Sequence, residues 1–85
     1  MARLPSLTAS PVELDHVAAI RACPPVKVPF KADGSPNLRG FIDRVNEEPV
    51  VLAAEAWAAD DRDRRLAVGT AKASLLARSY AAAGR

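Results

Sequence analysis

His16 and Cys23 are the residues best suited by type to nucleophilic chemistry, a base and a thiol seven positions apart. On one helix two turns would separate them by ~10.5 Å, whereas a general base must come within ~3 Å of its proton. The pair reads as a surface histidine beside Asp15 and a small packed thiol. One histidine and one cysteine also cannot complete a zinc site without several carboxylates or a second chain.

The acids do no better. Asp60, Asp61 and Asp63 are interleaved with Arg62, Arg64 and Arg65, and they lack the alternating ligands, glycine and distal glutamate of a calcium loop. They read as a solvated helix cap with local ion pairs. Glu47, Glu48 and Glu55 read as charges at helix ends. Gly34, Gly40, Gly69 and Gly84 stand apart from one another, so no phosphate-cradling loop is present, and no serine sits in a nucleophile elbow. The expectation is a non-enzyme with no catalytic residue, metal ligand, cofactor or evident small-molecule substrate.

What remains is surface recognition, and the stretch that invites it is 61–83. At ~100° per residue, Leu66, Gly69, Ala73, Leu76 and Tyr80 fall on one line of a helix. Val68, Leu75 and Ala82 fall on a second line, nearly opposite, interleaved with Arg64, Arg65, Lys72 and Arg78. A helix with two apolar lines has neighbours on both sides. The first line is expected to pack on the domain. The second is expected to be either core or the centre of a protein contact rimmed by its bases.

Elements upstream must position this helix. Residues 1–9, with Pro5, read as a flexible lead-in, in which Leu4 and Leu7 could still pack. Ser10, Pro11 and Glu13 form a capping box with a first-turn proline, predicting a helix over 10–23 that buries Leu14, Val17, Ala18 and Ile20 and stops at Pro24-Pro25. The strap at 24–34 alternates Val26, Val28 and Phe30 with Lys27 and Pro29. It reads as extended chain with its apolar side inward, outside any central strand because Pro29 has no amide hydrogen, and ending in an Asp33-Gly34 turn.

Ser35-Pro36 repeats the cap-plus-proline start and predicts a helix over 35–46 with Leu38, Phe41, Ile42 and Val45 as core. Pro49 opens a helix over 49–60 facing inward through Val50, Ala53, Ala54 and Trp57, although Pro49 to Leu52 could instead be a short strand. An unbroken helix of 34 residues would run ~50 Å, too long for so small a domain to cover. The break is therefore placed at Asp60-Asp61, with Asp61 as the next N-cap.

Composition agrees with an all-α bundle of about four short helices. The chain has 85 residues, 49% hydrophobic and 26% charged, one domain over 10–85 burying about 60–65% of its unfolded surface. Eighteen alanines and 5% aromatics predict close-packed helices around a thin core. Nine arginines against three lysines suggest a GC-rich bacterial or phage genome. A single cysteine fits a reducing cytoplasm. No run has the length of a signal peptide or a membrane span, so the localisation expected is cytoplasmic, with no membrane partner.

A net charge of +2 is too small to favour polyanions strongly. The helix after the 46–49 turn offers no arginine, lysine, asparagine or glutamine to a base edge, unlike a DNA-reading helix-turn-helix. The function expected is thus a non-catalytic protein-interaction or assembly module: a homo-oligomer, small subunit, adaptor, or phage or mobile-element factor. Its partner-binding residues would be Val68 and Leu75 with Arg64, Arg65, Lys72 and Arg78. The alternative is a nucleic-acid-binding regulator that touches phosphates through the same four bases.

Overall fold

The structure, a computed structural model, describes residues 9–84, with side chains over 16–84. The lead-in over 1–8 lies outside the described residues. So do the side chains of Ser10 and Glu13, on which the first capping box rests, and that of Leu14.

Four helices follow in order: α1 (Ala9–Ala22), α2 (Leu38–Asn46), α3 (Pro49–Ala58) and α4 (Arg62–Ala83). The all-α class and the order of elements are as the patterns predict. Pro49 occupies the first turn of α3, where a missing amide hydrogen costs nothing. The chain breaks at Ala59 to Asp61, and the Asp61 carboxylate accepts the Arg64 amide at 3.1 Å, which makes it the N-cap of α4.

The strap is extended but forms no strand among the described residues. Its one ladder contact is an antiparallel bridge between Phe30 and Pro36, closed through Gly34 at φ +91°, a left-handed turn that glycine adopts without a Cβ clash. The second helix starts later than Ser35 would place it. Ser35 turns back to bond the Asp33 carboxylate through its amide and hydroxyl, and Asn37 caps α2 by accepting the Gly40 amide at 3.0 Å. A Cβ on Gly40 would stand 2.7 Å from the Asn37 side-chain amide, so the cap needs glycine at that position.

α1, α3 and α4 pack extensively on one another, and α2 lies across α3 and α4 with a smaller contact. The core they enclose is thin. Ile20, Val28, Phe41, Val45, Val51, Val68 and Leu75 supply its bulk, and Ala54, Ala58 and Ala71 are fully buried where helices approach closely. Within α2 only half of the expected stripe is core. Phe41 and Val45 are buried while Leu38 and Ile42 are about half exposed, because a nine-residue helix with only small contacts to α3 and α4 buries a narrow arc of its circumference. In the strap Val28 points inward and Phe30 outward.

Candidate functional site

The helix expected to carry recognition turns the opposite way from the expectation. Val68 is 1% exposed and Leu75 0%, with Ala71 and Ser79 completing the buried line. Leu66 is 59% exposed and Tyr80 50%, and Gly69 and Ala73 are exposed with them while Leu76 is half-buried. Val68 and Leu75 are therefore core residues and not the centre of a surface contact.

The physical reason lies in the interleaved bases. Arg78 reaches the end of α1, donating from Nη1 to the Cys23 carbonyl at 2.7 Å and from Nη2 to the Ile20 carbonyl at 3.1 Å. Arg64 donates to the Trp57 carbonyl at 3.2 Å and Arg65 to the Ala59 carbonyl at 2.9 Å, both at the end of α3. These are the carbonyls that a helix end leaves without an intrahelical donor. Lys72 pairs with Glu55 at 2.7 Å. Turning Val68 and Leu75 inward thus places two arginines at the end of one neighbouring helix and one at the end of another, with aliphatic stems along the seams. The opposite rotation would bury Leu66 and Leu76 but abandon those bonds.

For the same reason these four bases do not form an open basic row. Each is engaged with an acceptor of the domain. The phosphate contacts of the nucleic-acid reading would have to compete with helix-end carbonyls and a carboxylate. Tyr80, the nearest aromatic on α4, tilts against Phe41 with ring centroids 6.5 Å apart.

The residues of catalytic type are dispersed. The His16 ring stacks on the Trp57 indole with centroids 5.2 Å apart, and the Arg64 guanidinium lies 4.7 Å from the same indole centroid. Cys23 sits elsewhere, in the wall of an open cleft of about 490 Å³ that Lys27, Arg44, Glu47 and Glu48 also line. Burial pushes the Cys23 thiol up, Glu48 adds to this, and Arg78 opposes it. A thiol held protonated is a poor nucleophile. Among the described residues no group of three His, Cys, Asp or Glu side chains converges as metal ligands would, and Asp61 serves as the cap.

The remaining feature is the outward line of α4. Leu66, Gly69 and Ala73 are exposed along the helix, Leu76 is partly buried against the core, and Tyr80, half exposed beside Phe41, borders a hollow that Phe30, Pro36 and Ala83 also line. A Cβ on Gly69 would meet no atom within 4 Å, so no contact inside the domain requires glycine there. The 3-4 spacing of this line was visible in the sequence. Its exposure was not, because α4 is weakly amphipathic and each of its two lines could have faced the core.

Comparison with known protein families, with curated proteins and with solved structures finds no match for the chain. Among the described residues no helix is long and apolar enough to cross a membrane.

Proposed function

We propose that the protein is a non-catalytic interaction module whose contact surface is the outward line of α4, Leu66, Gly69, Ala73, Leu76 and Tyr80, extended by Phe30. One observation carries the reading. The helix that closes the core with one line holds a second apolar line, about four turns long and spaced for another helix, in which Leu66, Gly69, Ala73 and Tyr80 are exposed and Leu76 is partly buried. Isolated exposed leucines are ordinary, but a continuous row including a half-exposed tyrosine is the pattern of a recognition surface. A cytoplasmic location belongs to this reading, supported by the lone buried thiol of Cys23.

The test is site-specific photo-crosslinking in cells. A benzophenone side chain at position 73, on the line, is compared with one at position 81, which is exposed but about 100° around the helix from Tyr80. Protein adducts from position 73 and few from position 81 are expected. Absence of any adduct from position 73 removes the reading.

A further inference from the structure

We infer that the occupant of the outward line is the same line of a second copy, laid antiparallel about a two-fold axis between Ser74 and Leu75. The inference rests on the interaction reading above and names its partner.

Spacing is the first support. Positions 66, 69, 73, 76, 80 and 83 alternate steps of three and four, the heptad rhythm that keeps one helix in contact with another along its length. Leu66, Ala73 and Tyr80 occupy one kind of seam position, and Gly69 the other together with Leu76 and Ala83, which are partly buried and present only one side outward.

Shape selects the orientation. In an antiparallel pair each layer joins one kind of position to the other, so Leu66 meets the second copy's Ala83, Gly69 meets its Tyr80, and Ala73 meets its Leu76. Every layer then sets one large side chain against one small one, which is how facing positions interdigitate without voids. A parallel pair would set Leu66 on Leu66, Gly69 on Gly69 and Tyr80 on Tyr80, alternately overfilled and empty. The antiparallel layer also brings Leu66 of one copy to the hollow that Phe30, Pro36, Tyr80 and Ala83 line on the other.

Gly69 gains a role by this arrangement. Glycine inside a helix costs up to about 1 kcal/mol relative to alanine, and with open space around it the domain itself draws no return from that cost. Against a second copy its missing side chain is the room that Tyr80 needs. Charge agrees as well. Arg62 of each copy arrives at the far end of the other α4, where the helix carries its negative pole.

Area sets the strength. The seam from 66 to 83 is ~26 Å long and ~10–12 Å wide, roughly 300 Å² per copy, against about 800 Å² for a typical stable complex. The dimer is accordingly weak and concentration-dependent.

Sedimentation equilibrium of the full chain from micromolar to millimolar concentration tests this, with Gly69→Gln as the variant. A reversible monomer–dimer equilibrium is expected for the parent. Gly69→Gln, whose Cβ meets no atom of the domain within 4 Å and whose side chain ends in a polar amide, is expected to melt at the same temperature or higher in dilute solution while dimerising at least tenfold more weakly. A parent that stays monomeric at millimolar concentration overturns the inference, as does a Gly69→Gln variant that dimerises equally well. The benzophenone at position 73 separates the two proposals. An adduct of twice the chain mass supports the second copy, adducts only to other proteins overturn it while leaving the interaction reading intact, and no adduct overturns both.

Discussion

The two apolar lines of α4 have nearly the same residue types and opposite fates. The inward line, Val68, Ala71, Leu75 and Ser79, is fully enclosed, while Leu66 and Tyr80 on the outward line keep half or more of their surface. Hydrophobicity alone does not separate them, since a leucine contributes about the same on either side. The difference comes from polar partners. The side of the helix bearing Arg64, Lys72, Arg78 and Ser79 finds acceptors and donors on α1, α3 and the strap, whereas Thr70 on the other side bonds only within α4, to the Leu66 carbonyl. Arg64 and Arg78 beside the inward line therefore mark a buried seam and not the rim of a free surface.

The sharpest way to break this contrast is a matched pair of truncations. Leu75→Ala should lose about 2–5 kcal/mol by leaving a cavity in a thin core, a large share of a small domain's stability. Leu66→Ala should change the dilute monomer by less than about 0.5 kcal/mol. Urea melts of both variants decide it, and equal losses would mean that the two lines had been assigned the wrong way round.

The second effect concerns the polar partners. Arg78→Met keeps the stem along the seam but leaves the Cys23 carbonyl without its donor, a loss of about 1–3 kcal/mol. Arg62→Met, at an exposed position on the same helix, should leave the melt nearly unchanged. A neutral result at both positions would reduce the arginine contacts to decoration and return the choice of face to packing alone.

The smallest effect is a pH dependence. The folded protein holds the Cys23 thiol above its ordinary range, so folding favours the protonated form. Stability from this source is intact below the unfolded thiol value of ~8.5 and falls as pH rises beyond it, because the unfolded chain releases its proton first. Denaturation at pH 7 and pH 10 should show a steeper loss in the parent than in Cys23→Ala. An identical loss in both would place the thiol in contact with solvent.

Much of the frame was legible from residue types. Pro49 and Asp61 announce their helix starts because each has one strong local reason to be there. Ser35 misleads because Asn37 can also cap, and the winner is set by whether Gly40 lets the Asn37 side chain fold back. The rotation of α4 was hidden for a different reason. It depends on where α1 and α3 end in space, and the bonds from Arg78 join residues 55 and 58 positions apart, beyond the reach of any periodicity. The same holds for Leu38 and Ile42, whose exposure follows from how little of α2 meets α3 and α4.

The Val26 amide donates to the Ser79 hydroxyl at 2.8 Å, next to the Arg78 links to the end of α1. Together these bonds fasten α1 and the strap through residues more than fifty positions later in the chain. Until residues 78 and 79 are made, α1 and the strap lack these three bonds. The helix that presents the outward line is also the clasp, and truncation within it should release both ends at once.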